Sequence, residues 1–219
     1  MEKNGKIFIQ IASYRDPELL NTIKDCIEKS DNSQNLVFGL CWQHSKDDKW
    51  DNLDEYLDDP RFKIVDVDFN ESKGACWARN SLQQQYDGEQ YTFQLDSHHR
   101  FIEGWDTELI NMLEGLIEKG HKKPLLTSYI SSYNPENDPE GRVNVPWLMN
   151  FDRFIPEGAV FFLPATIPNW ETLTEPVPAR FYSAHFAFSL GSFVEEVPHD
   201  PEYYFHGEEI SIAVRAYTH

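Results

Sequence analysis

An acidic side chain and an imidazole stand two residues apart at Asp96 and His98, directly after an aromatic-rich stretch. Tyr91, Phe93 and Leu95 alternate with other residues there, which predicts a short β-strand ending at Leu95. If the chain continues extended, Asp96 and His98 share a face and point at one spot. Oxygen and nitrogen donors together favour Mn²⁺ or a similar ion over Ca²⁺ or Mg²⁺. The pair therefore predicts a divalent-metal site, although an exposed polar turn uses the same residue types.

The segments before this pair predict the sheet that positions it. Apolar runs at 6–12, 36–42 and 62–67 predict strands, and helical patterns follow at 19–27 and 74–86. Asp16 is predicted to cap the first helix and Pro17 to open it. Strands alternating with helices imply a mostly parallel sheet, in which ligands bind at the carboxyl ends of the strands. The segment 13–16 and the Asp96–His98 pair both follow strands, so we expect them at one edge.

The second half of the chain is less regular. We expect a helix at 105–119, a strand at 124–129, a long loop at 131–156, a strand at 180–190 and a helix that starts near His206. Repeats, linkers and low-complexity tracts are absent from the sequence. The prediction is a single α/β domain.

Composition excludes several classes of function. The formal net charge is −18 and the isoelectric point is about 4.7, which disfavours nucleic acids and anionic membranes as partners. The longest apolar run, 159–163, is far too short to span a bilayer, and no signal segment opens the chain. Three widely spaced cysteines, Cys26, Cys41 and Cys76, are expected to be reduced core thiols of a cytoplasmic protein.

Five stretches carry a resemblance to a known family. They are IFIQIASYRDPEL near the start, GACWAR, QLDSHHRF with the following WD, SAHFAF, and HGEEISIAVR near the end. As an ordered set they resemble the GlcNAc-type glycosyltransferases, whose best-known members modify hydroxyproline on a cytoplasmic protein. The chain is also similar to the polypeptide GalNAc transferases, in which an Asp-x-His pair and a later His hold Mn²⁺.

The resemblance implies a GT-A fold, with a Rossmann-like sheet and flanking helices, over residues 1–219, without the C-terminal extension with which the family continues. It implies a UDP-sugar donor, UDP-GlcNAc first, and a divalent metal, Mn²⁺ before Mg²⁺. The metal is expected in a DXD-like motif in which His98 takes the second Asp position, with His219 or His206 as the later ligand. The acceptor is a hydroxyl group, on protein hydroxyproline or a glycan, and the sugar keeps its anomeric configuration.

Residue roles follow from the resemblance and from side-chain chemistry. Guanidinium groups suit phosphate oxygens, so Arg15 and Arg79 are expected at the nucleotide unless they form ion pairs within the protein. Glu208 or Glu209 is expected to position the acceptor or act as base, unless both serve the helix dipole. Catalysis is assigned to Glu208, Glu209 and Asp96. The residues expected to bind the UDP-sugar are Ala12, Ser13, Tyr14, Arg15, Arg79, Asp96 and Ser97.

Two further classes of function use the same residues. A metal-dependent phosphohydrolase would give the place of the acceptor to water. A binding module without activity would use the six tryptophans and ten tyrosines to stack on sugars. Turnover of the donor with and without acceptor separates these classes from a transferase.

Overall fold

The computed structural model describes residues 4–219, and its centre is a six-stranded sheet. The strand order is β3-β2-β1-β4-β8-β5, and a separate pair, β6-β7, forms a hairpin. The strands are β1 (Ile7–Tyr14), β2 (Leu36–His44), β3 (Phe62–Asp68), β4 (Tyr91–Asp96), β5 (Leu125–Thr127), β6 (Trp147–Phe154), β7 (Val160–Thr166) and β8 (Phe186–Leu190). The helices are α1 (Leu19–Glu28), α2 (Ala75–Gln83), α3 (Trp105–Glu118), α4 (Phe193–Glu196) and α5 (Glu208–Thr218).

The first four strands run parallel, and β8 is antiparallel to both of its neighbours. From β1 the chain adds β2 and β3 on one side and then places β4 on the other side. The order therefore reverses between β1 and β4, which is where open α/β sheets bind ligands. The register pairs Ala12 with Asp96 at this point. The predicted α/β fold with a mostly parallel sheet is confirmed.

Alternate residues of β1 build two core layers, because side chains at i and i+2 share a face of a strand. Ile7, Ile9 and Ile11 are buried against Ile23 of α1 and Leu113 of α3. On the opposite face, α2 contributes Ala78 and Leu82, and the half-buried Ala12 packs against them. The sheet is thus covered on both sides, which explains why its strands are continuous apolar runs in the sequence.

Three local predictions are wrong. The strand predicted at 180–190 begins only at Phe186. The segment 131–156, predicted as a loop, contains β6, which pairs with β7 as an antiparallel hairpin. The first helix begins at Leu19 with Glu18 at its N-cap, so Pro17 precedes the helix. Asp16 does accept a hydrogen bond from the backbone N–H of Glu18, but its second carboxylate oxygen is turned toward the loop after β4. In the described part of the chain, no helix is both long and apolar enough to cross a membrane.

Candidate active site

Asp96 and His98 lie at the carboxyl end of β4, as the sequence predicts, and approach each other. Asp96 Oδ2 and His98 Nε2 are 3.9 Å apart. The other oxygen of Asp96 accepts a hydrogen bond from Arg79, and the other nitrogen of His98 is bonded to Asp16. The remaining atoms, Asp96 Oδ2 and His98 Nε2, are therefore both available to bind a metal ion, and they lie close together. The side chain of His98 is 57% exposed, so ligands can reach this place from solvent.

This geometry fits a divalent cation. Metal–oxygen and metal–nitrogen bonds of about 2.1 Å each allow two ligand atoms of one ion to lie at most about 4.2 Å apart. The separation of 3.9 Å between Asp96 Oδ2 and His98 Nε2 is within that limit. Across residues 4–219, no three His, Cys, Asp or Glu side chains are grouped so as to hold a metal. Asp96 and His98 can therefore supply two ligands of an ion, and further ligands must come from elsewhere.

The two histidines considered as a later ligand lie in different places. His206 precedes α5 and lines the same cavity as Asp96. His219, at the end of α5, lies 3.5 Å from Glu196 and lines a second cavity next to β5 and β8. The structure therefore brings His206 toward the predicted metal site and sets His219 apart from it.

Arg79 of α2 is buried between two carboxylates. Its Nη2 donates to Asp96 Oδ1 at 2.8 Å, and its Nη1 donates to Glu208. Burial opposes the charge of the guanidinium, yet Glu208 and Asp96 raise its pKa. Both terminal nitrogens are engaged, and the residue is only 5% exposed. The structure thus gives Arg79 the ion-pair arrangement, which orients Asp96 and links β4 to α5.

Glu208 and Glu209 begin α5, and their surroundings shift the pKa values of the two carboxyl groups in opposite directions. Burial works against ionisation of Glu208, but the charge of Arg79 and the hydrogen bond with His199 hold its pKa at about 2. Burial raises the pKa of Glu209 to about 7, and the nearby charge of Glu208 adds to that effect. Glu209 accepts one hydrogen bond, from the backbone N–H of Ala184 at 3.0 Å. Two adjacent carboxyl groups with separated pKa values are a pattern found where acid and base roles are divided.

A cavity of about 210 Å³ lies beside these groups. Asp96, Glu208 and Glu209 are among the charged residues that line it, and Met149 and Phe162 of the β6–β7 hairpin are among the apolar ones. Both hairpin residues are buried. The cavity is therefore lined both by a carboxyl group whose pKa is raised by burial and by apolar side chains of the hairpin.

The segment predicted to meet the nucleotide lies beside Asp96, but its side chains differ in access. Ala12 is half-buried next to Asp96 in the sheet, and Ser13 is buried with a hydroxyl that has no partner. The ring of Tyr14 is exposed and meets Phe69 edge-on. Arg15 lies over the Phe69 ring and donates two hydrogen bonds to Asp48.

Ser97, also assigned to the nucleotide, is buried, and its hydroxyl donates to Asp16 at 2.6 Å. Its position next to Asp96 is as predicted, but its side chain is committed within the protein.

Two histidines near the site, the buried His99 and the half-buried His185, have pKa values lowered by burial. His99 is buried with its ring stacked 6.4 Å from that of His98, and burial lowers its pKa to about 4. Its Nδ1 is 3.0 Å from the carbonyl oxygen of Asp96. His185 lines the cavity, burial lowers its pKa, and its Nε2 accepts a hydrogen bond from the backbone N–H of Ile130. His185, for which the SAHFAF motif predicts no role, thus connects the segment between β5 and β6 to the cavity.

Comparison with known proteins adds three findings. The sequence profile of a family described as "Glycosyltransferase (GlcNAc)" matches residues 6–61 and 51–219. The fold is similar to that of GalNAc-T7, solved with UDP, GalNAc and Mn²⁺, with a TM-score of 0.66 and 18% identity over 96% of this chain. The chain spans 40% of the length of that protein. A search of curated proteins finds no match.

Proposed function

The chain belongs to the GlcNAc glycosyltransferase family and has the fold of a GT-A glycosyltransferase, and from that premise we propose that it moves GlcNAc from UDP-GlcNAc to a hydroxyl group with a divalent cation. The observation that carries the proposal is the pair of uncommitted atoms, Asp96 Oδ2 and His98 Nε2, that face each other at the switch point of the sheet. Crevices at this point are the usual ligand sites of open α/β sheets.

Asp96 and His98 would hold the cation, with His206 as the candidate for a further ligand. When bound, a divalent cation neutralises the negative charge that develops on the diphosphate as it leaves the sugar. The GalNAc-T7 structure contains such a cation, Mn²⁺, together with UDP. Arg79 supports this role from within the protein, because it fixes one oxygen of Asp96 and leaves the other for the ion.

The nucleotide would bind along the segment after β1. The exposed ring of Tyr14 offers a face on which a uracil can stack, and Arg15 beside it would bind a phosphate only by leaving its ion pair with Asp48. Ala12, beside Asp96 in the sheet, and Ser97, next to Asp96 in the chain, would contact the ribose and the diphosphate.

Glu209 is the residue that we assign to the acceptor hydroxyl. It lines the cavity, it makes one hydrogen bond through Oε1, and its pKa of about 7 lets it hold or accept a proton near neutral pH. Glu208 is less suitable because Arg79, Cys76 and His199 surround its carboxylate. Its role is to hold Arg79, and through Arg79 it positions Asp96.

The acceptor would enter between Glu209 and the hairpin. The apolar wall formed by Met149 and Phe162 suits the ring face of hydroxyproline or of a sugar, and the carboxylates suit a hydroxyl group. The three cysteines of the chain are free and buried, which agrees with action in the reducing cytoplasm.

Product analysis with defined donors and acceptors tests the proposal. UDP-GlcNAc, UDP-GalNAc and UDP-Glc are each incubated with Mn²⁺ and either a hydroxyproline peptide or a glycan, and the products are identified by mass spectrometry and NMR. We expect transfer of GlcNAc with retained anomeric configuration, and a lower kcat in Glu209→Gln. Donor breakdown that is the same with and without every acceptor would instead identify a phosphohydrolase, and an inverted product would contradict retention.

A further inference from the structure

Asp16, between β1 and α1, makes contacts that no helix cap requires. One oxygen accepts a hydrogen bond from the backbone N–H of Glu18 at 2.9 Å. The other oxygen accepts from the hydroxyl of Ser97 at 2.6 Å and lies 2.7 Å from His98 Nδ1. The carboxylate of Asp16, whose side chain is 17% exposed, thus grips the loop that carries the predicted metal ligands.

The contact to His98 settles which nitrogen remains for a ligand. An imidazole presents two nitrogens, and a carboxylate bonded to one of them fixes both the tautomer and the ring orientation. With Nδ1 held by Asp16, the free nitrogen is Nε2, and this atom is the one that lies 3.9 Å from Asp96 Oδ2. Among residues 4–219, the exposed ring of His98 also stacks on the ring of His99, with centroids 6.4 Å apart, but its one side-chain hydrogen bond is the bond to Asp16.

Two residues of α1 fix the backbone of the loop after β4. The Thr22 hydroxyl donates to the carbonyl of Ser97 at 2.7 Å and accepts from the N–H of His99 at 2.9 Å. Asp25 accepts a hydrogen bond from the N–H of Phe101 at 2.6 Å. The path of the loop therefore does not depend on Asp16 alone, whereas Asp16 makes the one side-chain hydrogen bond that orients the His98 ring.

We propose that Asp16 is a positioning residue that turns His98 so that Nε2, together with Asp96, receives the divalent cation. This inference rests on the proposed metal role of Asp96 and His98. It gives Asp16, in the loop between β1 and α1, a function beyond capping the first helix. It also explains why the loops after β1 and β4 are bonded to each other at the switch point.

The test compares Asp16→Ala with Asp25→Asn, which changes a carboxylate of α1 bonded to the same loop but away from the imidazole. Mn²⁺ affinity is measured from the electron paramagnetic resonance of free Mn²⁺, with and without UDP. We expect Asp16→Ala to weaken Mn²⁺ binding about 10- to 100-fold, the usual effect of losing such a partner, and Asp25→Asn to bind as the wild type does. Asp16→Asn, which keeps an acceptor for the ring, should lose much less. Asp16→Leu, which is close to Asp in size but accepts no hydrogen bond, should lose as much as Asp16→Ala and replaces it if Asp16→Ala does not fold.

A second readout needs no metal. In the metal-free protein, ¹⁵N-edited NMR of the neutral His98 ring should show the proton on Nδ1 in the wild type and a mixture of tautomers in Asp16→Ala. Equal Mn²⁺ affinity in the wild type and Asp16→Ala would overturn the role of Asp16 and leave the metal site intact. Absence of Mn²⁺ binding in the wild type would overturn the metal site and the role of Asp16 together.

Discussion

Replacing Glu208 by Gln is expected to destabilise the protein at neutral pH and to alter its response to acid. The folded state holds the pKa of Glu208 at about 2, against an ordinary value of 4.5. One pKa unit is worth about 1.4 kcal/mol, so ionised Glu208 contributes about 3 kcal/mol. Breaking a buried ion pair costs about 3–5 kcal/mol in other proteins, which agrees with this magnitude. Because the folded pKa is lowered, the contribution is complete above pH 4.5 and is lost as the pH falls toward 2.

The adjacent Glu209→Gln variant is the matched control, because pH is expected to change the contribution of Glu209 to stability in the opposite direction. Burial raises the pKa of Glu209 from 4.5 to about 7, so the folded state keeps a proton that the unfolded chain releases. The wild type therefore loses about 3 kcal/mol relative to Glu209→Gln as the pH rises from 4.5 to above 7.

Urea unfolding of the metal-free protein, followed by tryptophan fluorescence between pH 3 and 8, measures both differences. The wild type should exceed Glu208→Gln by about 3 kcal/mol at pH 7 and by less in acid. Relative to Glu209→Gln, the wild type should lose stability as the pH rises. If the free energies of unfolding of both variants change with pH as that of the wild type does, the separated pKa values of the two glutamates are wrong, and so is the division of their roles.

Three further substitutions test other parts of the structure. A Cβ on Gly74 would clash with the backbone carbonyl oxygen of Tyr204, whereas a Cβ on Gly88 meets nothing within 4 Å, and both glycines have positive φ. Thermal unfolding should show a loss of about 1–2 kcal/mol in Gly88→Ala from the backbone alone and a further 1–3 kcal/mol or so in Gly74→Ala; equal losses would refute the close approach. Phe162→Ala should cost about 3–5 kcal/mol and raise the KM for the acceptor more than that for the donor; an effect on the donor alone would exclude the hairpin from the acceptor site. Tyr14→Ala should weaken UDP binding by about 1–3 kcal/mol with little change in stability, and Tyr217→Ala, at an exposed ring on α5, should leave UDP binding unchanged; calorimetry that finds the same affinity in both would remove Tyr14 from the nucleotide site.

Much of the fold follows from local sequence patterns. The strands β1 and β4 are apolar or alternating runs that belong to a covered sheet, and both are predicted to within about two residues. The meeting of the two loops after them follows from the parallel arrangement. The pair Asp96 and His98 is likewise visible in the sequence, because its spacing and its place at a strand end are local facts.

What local patterns do not reveal is the partner of each charged group. Arg79 carries the same side chain whether it binds a phosphate or a carboxylate, and its partner Glu208 lies 129 residues away in the chain. Asp16 has the residue type and position of a helix cap, and only the fold shows its second oxygen at His98. The hairpin strand β6 is missed because the segment 131–156 is dense in Asn, Pro, Asp and Glu, which favours a loop and hides the short alternation from Met149 to Asp152.

The central claim is that Asp96 and His98 hold a cation that in turn binds the diphosphate of UDP. Isothermal titration of UDP into the wild type and into Asp96→Asn, each with Mn²⁺ and with EDTA, tests it directly. We expect tight binding only for the wild type with Mn²⁺, and an affinity at least about tenfold lower in the other three titrations. Equal UDP affinity in the wild type with and without Mn²⁺, or Mn²⁺-dependent binding that survives in Asp96→Asn, would contradict the claim.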